Sequence, residues 1–160
     1  MALEQFLPLQ VFGFLLVFSR LAGTLMLLPG LGEAYVPPRV RLLFALLLAI
    51  IVAPLVSAFL PPEPESIFVL FKLILAEIVI GIYIGIVARM LLLTLDSVGR
   101  FIALTIGMSN AEVFNPSIST QASLPGLLLT TMGVLILFST NMHHVLIMGI
   151  SESYTMFPVG

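Results

Sequence analysis

A carboxylate in the middle of an apolar run is the first feature of this sequence that demands a chemical explanation. Glu77 interrupts the stretch "LILAEIVIGIYIG", and an acidic side chain at the centre of a membrane-length helix costs about 2.5–3.5 kcal/mol on insertion scales. It needs a partner. Gly81 and Gly85 follow at four and eight residues, so on a helix the carboxylate and two bare backbone patches lie along one stripe. That spacing predicts a packing face with a polar contact to a neighbouring helix or subunit. The competing chemistry is a proton or ion relay, which normally enlists more intramembrane acids than this chain offers. Arg20, Lys72 and Arg89 are the other charges embedded in apolar runs. Lys72 and Arg89 lie near enough to the ends of a long helix to snorkel toward headgroups. Arg20 is deeper, so its expected partner is a buried acid or carbonyl, with Glu77 one candidate.

His143 and His144 raise the possibility of a metal site. Adjacent helical residues point about 100° apart, however, and cannot easily grip one ion together. No i, i+4 spacing or second cluster of His, Asp or Glu accompanies them, so a polar helix-end contact is the expectation. No metal and no other cofactor is expected. A nucleophile elbow and a phosphate loop are both absent from the sequence, and its only histidines are neighbours, so the chain reads as non-enzymatic.

A different kind of site is suggested where helical pattern fails. After Val98–Ser109, too short to span a bilayer, comes "NAEVFNPSISTQAS", with Asn115-Pro116 inside it. Non-helical backbone at membrane depth survives only when buried in protein or lining a water-filled cavity. Met108, Val113 and Phe114 surround this stretch. Bulky, flexible apolar groups can close a passage by packing and dewetting. A pore or cavity is therefore expected nearby.

The elements that must position these residues follow from hydropathy. Of 160 residues, 60% are hydrophobic and 9% charged, with a mean hydropathy of +1.22, far from the composition of a soluble domain. The outer surface is expected to be membrane lipid. Apolar runs predict helices over 8–28, 39–60 (with a kink at Pro54), 67–95, and from an N-cap at Ser123 to about residue 150. The third is longer than a hydrocarbon core requires. The expected fold is an all-α membrane protein of about four long apolar helices plus one broken or re-entrant segment, with residues 1–160 forming a single membrane-embedded domain. The first charge is Glu4, and no small-x-small exit closes the first run, so an anchored helix is expected there instead of a signal peptide. Arg39 and Arg41 beside the first loop, and Arg100 in the third connection, predict an N-terminus on the outer side. A net charge of -2 with no basic cluster excludes nucleic-acid binding. The absence of cysteine excludes disulfides and thiolate-ligated metals.

Four segments, taken in order, resemble the FliR/SctT family of flagellar and type III secretion export-gate subunits. "FSRLAGTLMLLPGLGEAYVPPRVRLLFAL" is similar to the family's amino-terminal signature, an aromatic-x-Arg element before a proline loop and a Pro-x-x-Arg element opening the next helix. "AEIVIGIYIG" resembles its Glu-containing, glycine-spaced helix, and "VGRFIALTIGMSNAEVFNPSISTQ" the segment that enters its loop. "LFSTNMHHVLIMGISESYTMFPVG" follows its helix-end pattern of Asn, His and a later Ser-x-x-x-x-Pro-x-Gly. The resemblance covers essentially the whole chain.

It implies a pore-forming subunit of the inner membrane and flagellar basal body. Its partners would be FliP-like and FliQ-like subunits and an FlhB-like export-switch protein, its cargo unfolded export substrates. The loop from Gly107 through Ala122, including Met108, Ser109, Val113, Phe114, Asn115 and Pro116, would help plug the closed pore. The implied assembly is partly raised out of the membrane plane. Asn115 stands where Asp is common, Met142 where Gly is usual, and Arg100 where Gln is frequent. Family chains continue past the Pro158–Gly160 region with further helices, so the sequence is expected to correspond to their N-terminal part. The rival classes are a secondary transporter or permease component, which predicts an inverted repeat not visible in the sequence, and a metal-dependent membrane enzyme centred on His143, His144 and Glu152.

Overall fold

Apolar residues on every side of a helix leave little for hydrophobicity to sort, so in lipid the packing is decided by small residues and polar contacts. The computed structural model describes residues 2–33, 35–62, 64, 66–107 and 123–159, with side chains from Val11 onward. Its described residues form five α-helices: α1 (Ala2–Leu27), α2 (Pro38–Val56), α3 (Ile67–Thr105), α4 (Leu124–Ser139) and α5 (Met142–Met156). A short 3₁₀ turn, Ser57–Phe59, extends α2. No strand occurs among the described residues, and the chain is an all-α membrane protein. Pro38–Phe59 and Ile67–Thr105 are long and apolar enough to cross a membrane, and α4 with α5 makes a third span if the broken pair crosses as one. At 1.5 Å per residue the 39 residues of α3 measure roughly 58 Å, nearly twice a 30 Å hydrocarbon core.

The chain divides into two compact units, Met1–Ala88 with Val145–Gly160, and Arg89–His144. In the first, α2 buries Ala45, Ala49, Val52 and Val56, positions that recur along one helical stripe. These meet Phe12, Leu16, Val17 and Leu21 of α1, with Ile150 and Tyr154 of α5 and Val159 completing the core. Leu25, Leu28 and Ala45 form a smaller cluster. The other face of α2, with Leu43, Leu47, Ile51 and Leu55, is exposed. Gly30 lies at φ 83°, in the left-handed region that opens the turn after α1. The Arg41 guanidinium ties this loop down by donating to the carbonyls of Val36 (2.9 Å) and Glu33.

In the second unit the C-terminal part of α3 packs against α4. A Cβ on Gly99 would collide with the backbone of Pro125 and Gly126, and one on Gly133 would meet Leu95 and Leu92. Two glycines facing each other let the backbones touch, the closest approach side chains permit. The hydroxyl of Ser123 caps α4 by accepting from the Gly126 amide at 3.1 Å.

Three boundaries differ from the hydropathy reading. The first helix begins at Ala2 instead of residue 8. The expected break between 95 and 98 is absent, because Asp96 and Ser97 can both remain helical. The Asp96 carboxylate accepts from Arg100 one turn on (2.9 Å), and the Ser97 hydroxyl donates back to the Leu93 carbonyl (2.8 Å). Conversely, the run from 123 to 150 is two helices. α4 stops at Thr140, and Asn141 adopts φ 58°, a conformation Asn tolerates better than most side chains. Hydropathy does not register such a break, since its cause lies in one backbone angle. Pro54 falls in the last turn of α2, just before the helix tightens to 3₁₀.

Candidate functional site

The Glu77 carboxylate meets the guanidinium of Arg20. Nε donates to Oε2 at 2.6 Å and Nη2 to Oε1 at 2.9 Å, a two-pronged contact between side chains that are 0% and 1% exposed. Arg20 also donates from Nη1 to the Ser153 hydroxyl (3.1 Å) and from Nη2 to the Phe157 carbonyl (2.9 Å). Its guanidinium carbon lies 3.9 Å from the centre of the Tyr154 ring. Three helices and the chain just after α5 thus converge on one cation. Four bonds from a group with five N–H donors leave little unsatisfied, the condition under which a buried charge is tolerated.

The glycines explain how α1 and α3 come close enough for this contact. A Cβ at Gly81 would collide with the Arg20 carbonyl, and one at Gly85 would lie 2.8 Å from the Leu27 Cβ and 2.9 Å from the Thr24 carbonyl. From the opposite helix, a Cβ at Gly23 would stand 3.0 Å from the Ile78 carbonyl. The Thr24 hydroxyl donates to the Arg20 carbonyl at 3.0 Å, keeping another polar group satisfied at the crossing. The stripe of Glu77, Gly81 and Gly85 therefore faces α1 along its whole length.

Chemically this is a fixed contact. A relay needs a carboxylate free to exchange its proton with a neighbouring titratable group, whereas both Glu77 oxygens here accept from an arginine that does not deprotonate in proteins. Ser153, Tyr154 and the Phe157 carbonyl were not singled out by sequence reasoning, although Ser153 is the serine of the Ser-x-x-x-x-Pro-x-Gly pattern. A serine and a carbonyl carry no charge signal, and only the fold brings them to Arg20. The Tyr154 hydroxyl is buried without a hydrogen-bond partner among the described residues.

Gly107, just past the end of α3, lies at φ 79°, a left-handed cap that glycine adopts at no steric cost. Met108, Ser109, Val113, Phe114, Asn115 and Pro116 lie outside the described residues. What is described is their frame: Gly107 on one side, the Ser123 cap on the other, and between the arms the Gly99–Gly126 contact. His143 stacks between Phe138 (ring centroids 5.0 Å apart) and His144 (4.1 Å). Among the described residues no group of three His, Cys, Asp or Glu side chains is placed to hold a metal ion.

Membrane-length helices, a bidentate ion pair at a glycine crossing and a glycine-locked hairpin define an all-α membrane protein built for close helix packing. The family described as bacterial export proteins, family 1, matches residues 11–160, and the chain belongs to it. Among similar proteins, the flagellar biosynthetic protein FliR of Caulobacter vibrioides is 36% identical over 149 residues, covering 93% of this chain and 59% of that protein. FliR of Bacillus subtilis is 33% identical over 146 residues, 91% of this chain and 56% of that protein. The Yop proteins translocation protein T of Yersinia pestis is 36% identical over 92 residues, 58% of this chain and 35% of that protein. The chain thus spans somewhat more than half the length of the FliR relatives. The family resemblance drawn from the four sequence segments is borne out.

Proposed function

We propose that this chain is a structural, non-enzymatic subunit of a flagellar or type III protein export apparatus, contributing to a channel for unfolded proteins and to its closure. The observation that carries this reading is the family match across residues 11–160, with relatives named both for flagellar biosynthesis and for Yop translocation. The assembly sits in the inner membrane at the flagellar basal body, and its other members are FliP-like, FliQ-like and FlhB-like proteins. Within it the 1–160 region acts as one membrane-embedded piece. The crossing of Arg20, Glu77, Gly81 and Gly85 fixes α1 on α3. The stretch from Gly107 through Pro116, with Met108, Ser109, Val113 and Phe114, obstructs the conduit. The close approach of α3 and α4 at Gly99 and Gly126, on either side of that stretch in the chain, supports the role.

The test is affinity purification of the full-length protein from its native membrane, followed by identification of what copurifies. Recovery of several other membrane subunits in fixed proportion is expected; recovery of the chain alone would overturn the proposal. In the recovered assembly reconstituted into vesicles, Phe114→Ala is expected to raise small-ion leakage several-fold, and unchanged leakage would remove Phe114 from the closure.

A further inference from the structure

Where the end of α2 passes α1, the close packing of the first unit gives way. A partly open cavity of about 760 Å³ lies between Phe12 and Phe14 on one side and Pro54, Pro61 and Pro62 on the other. Leu60 borders it by resting on Gly13, where a Cβ would stand 3.0 Å from the Leu60 Cδ1. The volume falls within the roughly 300–1,000 Å³ of sites that hold small ligands. Its walls decide which chemistry enters. Prolines have no N–H to donate, and the Ser57 hydroxyl, also at the wall, already donates to the Pro54 carbonyl at 2.9 Å. The other side chains of the described wall are apolar. A bound water needs about two to four polar partners, and a polar ligand would be left with unpaired groups. Hydrocarbon needs none.

The level of the cavity follows from α2 and not from the long α3. The span Pro38–Phe59 has 22 residues, roughly 33 Å, and so fits a hydrocarbon core of about 30 Å with little room to slide. Arg39 and Arg41 lie at one end, and the prolines and glutamates of "PPEPES" follow the other. The wall from Ala53 to Pro62 therefore sits at the rim of the core. There an amphiphile can place its tail in the cavity and its head in the polar layer. A protein helix fits less well. The described α1 wall is three consecutive residues, less than one turn, whereas helix docking runs over several turns. Charge bears on the headgroup: "PPEPES" carries two carboxylates, and the sequence offers no lysine or arginine between Arg41 and Lys72.

We infer that this cavity holds one acyl chain of a membrane phospholipid whose headgroup, at the level of the 61–66 loop, bears an ammonium group and is not anionic overall. Apolar burial holds the tail, and charge complementarity selects the head. The site depends on the membrane character of the chain and not on the function proposed above.

The experiment reconstitutes the full-length protein into nanodiscs of phosphatidylethanolamine and phosphatidylglycerol in equal amounts, with a trace of phosphatidylethanolamine carrying a diazirine at the end of one acyl chain. After irradiation, peptide mapping should find adducts on residues 11–14 and 53–62 several-fold above those on Leu43, Leu47 and Ile51, whose exposed face reports ordinary lipid contact. Ala53→Phe and Ser57→Phe each put a ring into the cavity and should cut its labelling at least about tenfold, leaving the exposed face labelled as before. Ser57 is exposed, so its replacement leaves the fold intact even if the bulkier side chain at 53 does not. The same diazirine on phosphatidylglycerol should label the cavity more weakly. Cavity labelling no higher than on the exposed face, or labelling that survives Ser57→Phe, would overturn the acyl-chain site. Equal labelling by the two lipids would overturn the headgroup preference. In the native membrane, benzoylphenylalanine at position 57 should crosslink to lipid, and an adduct with a polypeptide would show that protein fills the cavity instead.

Discussion

Replacing Glu77 by glutamine keeps the shape of the side chain and removes its charge, leaving the Arg20 guanidinium buried with one neutral amide oxygen in place of the carboxylate, beside the Ser153 hydroxyl, the Phe157 carbonyl and the Tyr154 ring. Two hydrogen bonds to Glu77 are weakened. At about 0.6–1.7 kcal/mol for an interhelical hydrogen bond in a membrane, their loss is worth roughly 1–3 kcal/mol. Stranding a buried cation raises the cost to about 3–5 kcal/mol, a large share of the ~5–15 kcal/mol that holds a typical domain together. For a chain of this size that corresponds to a fall of about 10 °C in unfolding temperature.

The decisive comparison is a double-mutant cycle with Arg20→Met, Glu77→Leu and the pair together, followed by thermal unfolding of the purified protein in one detergent. Each single variant strands a charge, but the double variant strands none. The double should therefore be more stable than either single, with a coupling of at least about 1.5 kcal/mol. Additive losses, or a Glu77→Gln change below about 0.5 kcal/mol, would refute the argument that this pair is one buried, mutually neutralising unit. A stable Glu77→Gln protein whose transport shifts with pH would favour the relay instead.

Other substitutions separate steric from polar contributions. Gly81→Ala should destabilise by about 1–3 kcal/mol, because the new methyl meets the Arg20 carbonyl with no side chain free to move aside; limited proteolysis in detergent reads this as faster cleavage. Asn141→Val should cost about 1–2 kcal/mol at φ 58°, whereas Asn141→Gly should be nearly neutral, and equal melting temperatures would show that the break between α4 and α5 needs no left-handed residue. Ser123→Ala, which removes the cap of α4, should cost about 1 kcal/mol, seen as faster amide exchange over the first turn. Arg100→Ala breaks only the exposed pair with Asp96 and should change stability by less than about 0.5 kcal/mol, with unfolding under the same conditions as the control.

Hydropathy and composition were enough to establish that this chain is helical and solvated by lipid, because apolar runs of membrane length admit few other backbones. The demand that Glu77 and Arg20 find partners was equally legible, since an intramembrane charge is costly wherever it lies. The glycines at 81 and 85 showed that their stripe would face another helix. They did not show which one, because a bare backbone patch accepts any helix that comes close. Tertiary structure chose α1, and it alone supplied Ser153 and the Phe157 carbonyl, neutral groups that no local pattern distinguishes from dozens like them. It also moved three helix boundaries, two of them for reasons seated in single residues. At Asp96 a side-chain pair kept an apparent break helical, and at Asn141 one backbone angle divided an apparently continuous run. Sequence sets the medium and the groups that cannot stand alone; the long-range contacts that satisfy them depend on close approach between segments far apart in the chain, which exists only once the helices have packed.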